Sequence, residues 1–266
     1  MIAGAVLVGA VVVMAALSLV WTPYDPGMMG AAARLAAPSP AHPFGADAYG
    51  RDLLSMIMAG SRSALAVALA ACALGLGVGA PLGLLAAARG GWVDELVMRG
   101  GDLVFAFPAL LIAVLLAAAL GPGALNAVLA IGVFNAPVFA RVTRGAALSL
   151  WSQDYILAAR LAGKGALRIS AEHIAPNLLS GLIVQGAIQL SLAVVADAGL
   201  SYVGLGVQPP EPSWGRMLGE AQTLFVQAPW LALFPGCAIV LTVLGFSLLG
   251  EGLRARLDPR ASGGED

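Results

Sequence analysis

Five long stretches without a charged side chain set the strongest limit on how this chain can fold. They cover residues 1–24, 63–88, 103–140, 173–196 and 221–250. A helix needs about 20 mostly apolar residues to cross a bilayer, so each stretch is long enough for at least one crossing. The pattern predicts an all-α polytopic membrane protein.

Composition excludes most soluble classes of protein. Of the 266 residues, 59% are hydrophobic and 11% are charged, whereas a soluble globular chain carries about 25% charged residues. So few charges exclude a soluble enzyme and a disordered chain. The net charge of −1 gives no bulk attraction for nucleic acid, so the predicted surroundings are membrane lipid.

Six spans follow because Gly121-Pro122-Gly123 divides the longest stretch in two. The first span has no Lys or Arg before it and a long apolar run. Both features favour a retained helix over a cleaved signal peptide. The predicted spans are 2–21, 63–88, 103–120, 124–143, 178–199 and 231–250.

The distribution of basic residues predicts the orientation. If both termini are inside, the inside segments hold 10 of the 14 Lys and Arg residues. The positive-inside rule therefore places both termini in the cytoplasm. The predicted regions are 1–62, with the first helix and an outer loop; 63–253, a five-helix core with a cytoplasmic loop over 144–177; and 254–266, a cytoplasmic tail.

The loops and the second span carry local signals. In the outer loop, Asp47 could cap an amphipathic helix over 48–59, lying either in the membrane interface or docked as an ordinary surface helix. The cytoplasmic loop is predicted to be helical over 155–161, with a break at 163–165. Gly75, Gly79 and Gly83 are spaced four apart and predict a ridge on which another helix packs closely.

The chain shows no energy source of its own. Lys164 is followed by Gly165, so there is no Walker A motif. No residue spacing indicates a metal or cofactor site, and the span interiors hold no ionisable side chain of the kind that coupled carriers use. The sequence therefore leaves a passive pore or carrier, or one subunit of a machine whose motor is another chain.

Three polar residues of the fifth span are candidates for a translocation path. Gln185 and Gln189 lie four residues apart, with Ser191 further along. They could line a path with uncharged hydrogen-bonding groups, or they could bond neighbouring helices.

From His42 to Arg260 the sequence resembles the inner-membrane permease subunit of bacterial ABC importers for dipeptides, oligopeptides and nickel. Six segments carry the resemblance in order: HPFGADAYGRDLLS (42–55), GGWVDELVMR (90–99), DLVFAFPALLIAVLL (102–116), YILAARLAGKGALRISAEHIAPN (155–177), GLSYVGLGVQPPEPSWG (199–215) and APWLALFPGCAIVLTVLGFSLLGEGLRARLDPR (228–260).

The resemblance implies a type I ABC importer permease fold with six transmembrane helices. It also implies a second permease chain, two ATPase subunits that hydrolyse ATP outside this chain, and a substrate-binding protein. The family's ATPase-docking pattern falls on Leu157, Ala158, Ala159, Gly163 and Pro176, with Leu157 in place of the family's Glu. The implied cargo is a di- or oligopeptide, a glutathione-like peptide, nickel or a nickel chelate.

Overall fold

A computed structural model describes residues 1–257 of the chain, and the regular structure in this range is helical apart from one isolated bridge between Ala46 and Asp52. The predicted tail, 254–266, lies outside the described residues from position 258 onward. Its first residues continue the last helix. The elements are α1 (Ile2–Leu17), α2 (Leu53–Arg89), α3 (Gly91–Ala106), α4 (Ala109–Leu120), α5 (Ala124–Trp151), α6 (Asp154–Leu161), α7 (Ala166–Ile169), a π-helical turn (Ser170–Ile174), α8 (Ala175–Tyr202), α9 (Trp214–Ala221) and α10 (Trp230–Leu257).

Four helical segments of the described chain are long and apolar enough to cross a membrane: 53–89, 124–151, 166–202 and 230–256. The third of these combines α7, the π-helical turn and α8. Helices α3 and α4 together meet the same test but are bent by 87° where they join. Helix α1 is apolar but has only 16 residues.

The third predicted span, 103–120, is wrong as a single straight helix. The helical segment begins at Gly91 and breaks at Phe107, whose backbone is extended with φ −94° and ψ 138°. Pro108 explains the break, because the proline ring disfavours helical backbone in the residue before it and supplies no N–H for a helical hydrogen bond.

The predicted separate helix over 48–59 is also wrong. Asp47 stays in the loop, where its carboxylate accepts hydrogen bonds from the backbone N–H groups of Tyr49 and Arg51. Asp52 is the cap instead: it accepts from the backbone N–H of Ser55 and starts α2 at Leu53. The second helix therefore begins ten residues before the predicted span, and its first two turns are largely buried within the protein.

The glycine ridge of α2 is confirmed, and it packs against α5. A Cβ atom added at Gly75 would lie 2.4 Å from the Cβ of Asn135. One added at Gly79 or Gly83 would lie 2.2 or 2.4 Å from a backbone carbonyl oxygen of α5. The two backbones are therefore in contact along two turns, which only glycine permits.

Helix α1 packs along α10 in the opposite direction. A Cβ added at Gly252 would lie 2.5 Å from the Cβ of Met1, and one at Gly245 would lie 3.0 Å from the Cβ of Leu7. Between these two contacts, Gly4 packs on the backbone of Leu249. The start of α1 and the end of α10 therefore lie at the same end of the bundle.

Candidate functional site: a cavity between helices and an exposed loop helix

A cavity of about 550 Å³ opens where the bent α3–α4 segment meets α5 and α8. Phe105, Ala109 and Leu110 form the wall at the bend. Asn135 of α5 and Gln189 of α8 supply amide groups to a lining that is otherwise apolar. The cavity has no charged side chain in its described lining, so it offers neutral hydrogen-bonding groups inside an apolar wall.

The two residues that carry these amides are both buried. Gln189 is 3% exposed and Asn135 is 5% exposed. Within residues 1–257, the side-chain nitrogen of Asn135 is buried and has no hydrogen-bond partner. A buried donor of this kind costs free energy unless a water or a solute accepts from it.

The three predicted path residues do not lie together. Gln189 lines the cavity, whereas Gln185 is half-buried one turn earlier and is not part of the lining. Ser191 faces α10: its hydroxyl lies 3.2 Å from the carbonyl oxygen of Val243 and 3.2 Å from Oγ of Ser247. Because residues two apart on a helix point to different sides, Ser191 joins two helices while Gln189 faces the cavity.

In the loop between α5 and α8, the predicted helix over 155–161 is confirmed as α6, Asp154–Leu161. Two residues after its end lies Gly163, whose φ of +79° is in the left-handed region. The N–H of Gly163 donates to the carbonyl of Arg160, and the N–H of Lys164 donates to that of Ala159. A glycine after the last turn is a common way to end a helix, because it adopts this conformation without steric cost.

The two faces of α6 differ in what they contact. Ile156 and Ala159 are buried in a small apolar cluster with Trp151, Ile169 and Ile174. Leu157 and Ala158 are exposed, and Leu161 is 91% exposed. Of the predicted docking residues, Ala159 therefore holds α6 on its own protein, while Leu157 and Ala158 face outward. Pro176, in the first turn of α8, is also exposed.

The charged side chains of this loop are largely engaged with one another. Glu172 accepts from Lys164 at 2.7 Å and from Arg168 at 2.6 Å. These two bonds pair the Glu172 carboxylate with two cations. Lys164 also reaches Nε2 of His173, and Arg160 lies over the ring of Trp151.

Sequence reasoning did not identify two exposed apolar side chains that lie on the same loop as these ion pairs. Leu161 and Leu167 are 91% and 61% exposed on a segment outside the long apolar stretches. The spacing of Leu157 and Leu161, four residues apart, was the available signal, since it places both on one side of α6. From the sequence, Asn135 could also line a path or bond a neighbouring helix, with packing favoured; the structure places it in the cavity wall, beside residues from distant parts of the chain.

Comparison with known proteins agrees with this geometry. The family model described as "Binding-protein-dependent transport system inner membrane component" matches residues 79–263. The dipeptide transport system permease protein DppC of Alkalihalophilus pseudofirmus is 41% identical over 227 residues, covering 85% of this chain and 75% of the relative. The glutathione transport system permease protein GsiD of Pectobacterium atrosepticum is 44% identical over 223 residues, covering 84% and 74%.

The fold also has a solved counterpart. A chain from the inward-facing MetNI methionine ABC transporter superposes with a TM-score of 0.62 at 20% identity, covering 76% of this chain and 96% of that one. The predicted permease fold is thereby supported at the level of helical architecture. The chain belongs to the family of binding-protein-dependent transport system inner membrane components, and it is a membrane permease subunit of an ABC importer.

Proposed function

We propose that this permease subunit forms, with a second permease chain, the path by which a dipeptide or a glutathione-like peptide enters the cell. The observation that carries the proposal is the chain's extensive similarity to one relative named as a dipeptide permease and another named as a glutathione permease. The cavity beside Gln189 is consistent with it, because amides in an apolar wall can hydrogen-bond a peptide backbone without fixing one charge.

The path in this proposal needs the second chain to be complete. The cavity is bounded by α3, α4, α5 and α8 of this chain and is open on the remaining side. Phe107, Leu111 and Leu115, on the bent segment, present apolar side chains to their surroundings. A second permease seated against the bend would close the open side and cover these residues.

The proposed topology has six spans, with α1 as the first, and both termini in the cytoplasm. The contact between Met1 and Gly252 supports termini on one side. In a background with Cys72 and Cys237 replaced, a cysteine at exposed Gln227 should react with an impermeant thiol reagent added outside. A cysteine at exposed Gln153 should react only after the membrane is opened. The reverse pattern would contradict the orientation.

In this proposal, separate proteins hydrolyse ATP and deliver the substrate. Two ATPase subunits would bind below, at least partly through the outward face of α6, and a substrate-binding protein would deliver the peptide at the outer side. ATP binding would then move the spans as rigid bodies between outward- and inward-open states.

Reconstitution tests the proposal directly. The purified complex of two permeases and two ATPases should take up a labelled dipeptide or labelled glutathione into vesicles only with ATP and the binding protein. Vesicles with the permeases alone should show no uptake, whereas a carrier or passive channel would transport without the ATPases. Uptake of a nickel chelate with no peptide uptake would replace the peptide as cargo.

A further inference from the structure

A second large cavity lies on another side of α5, away from the path. It is a groove of about 500 Å³ between α2, α3 and α5. Its lining includes Leu82, Leu96, Gly100, Ala136 and Ala140, and the described lining contains only Leu, Val, Gly, Ala and Pro. Such a groove can accept an alkyl chain, but it offers no side-chain group that would bind a polar solute.

Two residues mark the end of this groove that lies towards the α2–α3 turn. Arg89 follows Leu82 by seven residues, which places it on the same face of α2, two helical turns further along. Trp92 precedes Leu96 by four residues, one turn along the same face of α3, and is 74% exposed. An exposed Trp beside an apolar surface is typical of the depth at which lipid headgroups lie.

Arg89 differs from the other arginines around the groove. It is exposed at the last turn of α2, and no carboxylate of residues 1–257 lies within ion-pair distance of it. The other arginines on α3 and α5 are already paired. These pairs are Glu95–Arg99, Asp102–Arg141 and Asp94–Arg144.

We propose that this groove binds one anionic phospholipid of the inner leaflet, with an acyl chain between α2, α3 and α5 and the headgroup phosphate at Arg89. An apolar slot that ends at a cation and an interfacial Trp matches the two parts of a lipid molecule. Basic positions at the cytoplasmic ends of transmembrane helices are suited to anionic headgroups. The cytoplasmic position of Arg89 rests on the proposed topology.

Two substitutions separate the headgroup contact from the acyl-chain contact. Arg89→Gln removes the cation, and Arg256→Gln is its matched control at the cytoplasmic end of α10. Gly100→Leu fills the groove, since a Cβ atom at Gly100 meets no atom within 4 Å. Gly77→Leu is its control, because a Cβ at Gly77 also meets nothing and lies outside the groove.

The experiment uses the assembled transporter in nanodiscs of phosphatidylglycerol and phosphatidylcholine, released into mild detergent and weighed by native mass spectrometry. The wild-type complex should retain phosphatidylglycerol in preference to phosphatidylcholine. Arg89→Gln should lower the retained phosphatidylglycerol roughly fivefold, and Gly100→Leu should remove it, while both controls match the wild type.

Three results would overturn the proposal. The first is equal retention of the two lipids by the wild-type complex, and the second is unchanged retention by the Arg89→Gln complex. The third is loss of the second permease chain from the Gly100→Leu complex, which would show that protein rather than lipid fills the groove. None of these readouts depends on transport, so a different cargo would leave the lipid result intact.

Discussion

The α2–α5 contact and the bent α3–α4 segment both present apolar helix surfaces, but the first surface is buried and the second is exposed. Along α2, three glycines bring the backbone onto α5, so that this contact is complete within one chain. Along α3 and α4, Phe107, Leu110 and Leu111 remain exposed beside an open cavity. The first surface is buried when the chain folds, whereas the second is the surface that the proposed second permease chain would cover.

The same contrast separates the two faces of α6. Ile156 and Ala159 are packed on the protein itself, while Leu157 and Leu161 face outward. Substitutions on a surface that is packed within the chain should reduce the amount of folded protein. Substitutions on an exposed apolar surface should leave the protein folded and weaken its contacts with partner chains.

The largest effect is expected at the contact between α2 and α5. Gly79→Leu places a Cβ atom 2.2 Å from the carbonyl oxygen of Ala136, so the two helices must separate. We expect destabilisation of at least about 4 kcal/mol and almost no folded protein. Size-exclusion chromatography of the detergent-extracted, fluorescently tagged protein measures this. Gly77→Leu adds the same bulk in open space and should behave as wild type; equal loss in both variants would contradict the ridge.

The next largest effect is expected on the outward face of α6. Leu161→Asp puts a carboxylate into the proposed apolar contact with the ATPase, where burial of an unpaired charge is costly. We expect at least about tenfold weaker ATPase binding, with normal yield of the permease. Titration of the detergent-purified permease pair with the ATPase provides the affinity. Ser152→Asp, on an exposed residue before α6, is the control, and unchanged binding by Leu161→Asp would exclude this face.

Gly163→Val should have an intermediate effect, because it strains the end of α6 without removing a contact. At φ +79° a side chain costs about 1–2 kcal/mol, and a β-branched one more. The spans should insert normally, whereas peptide-stimulated ATP hydrolysis by the complex should fall. Gly165→Ala is the matched control, since Gly165 has φ −71°. Full stimulated hydrolysis by Gly163→Val would show that the geometry of this turn is not required.

The smallest effect is expected in the cavity. Gln189→Leu removes one amide from the proposed path and should slow ATP-driven peptide uptake between about twofold and tenfold, the value of one hydrogen bond. Gln185→Leu, one turn away and outside the lining, should leave uptake unchanged. If the two variants slow uptake equally, or if Gln189→Leu first reduces assembly, then Gln189 is a packing residue.

The spacing of residues close together in the sequence was enough to predict the glycine ridge of α2 and helix α6. The glycine ridge and α6 could be read from residues three to five apart, because a helix repeats every 3.6 residues. The start of α2, predicted as a separate helix over 48–59, could not be predicted in this way because it depends on distant contacts. Trp214 donates its indole N–H to the carbonyl of Ile57, 157 residues earlier. This contact packs the first turns of α2 against α9, inside the protein rather than at the membrane surface.

The start of α3 shows the same limit of local patterns. The charge-free stretches place the third span at 103–120, whereas the family resemblance matches 90–99 and 102–116 to the start of the third helix. The structure agrees with the resemblance: α3 begins at Gly91, and Asp94 and Asp102 are paired with arginines of α5. The cavity likewise joins side chains from four helices, and no single segment reveals it. The candidate docking residues were predicted as a set, but only the packing of α6 separates Ala159 from Leu157 and Ala158.

The mutual pairing of charges on the loop around α6 bears on how quickly the proposed complex with the ATPase would form. Residues 154–172 carry three cations and two carboxylates, and Glu172 is bonded to two of those cations. Such a surface projects little net field, so it cannot steer an approaching protein over long distances. The association rate of the ATPase at this loop should therefore change little between low and high salt. Encounters would instead be selected by the shape of the exposed surface formed by Leu157 and Leu161.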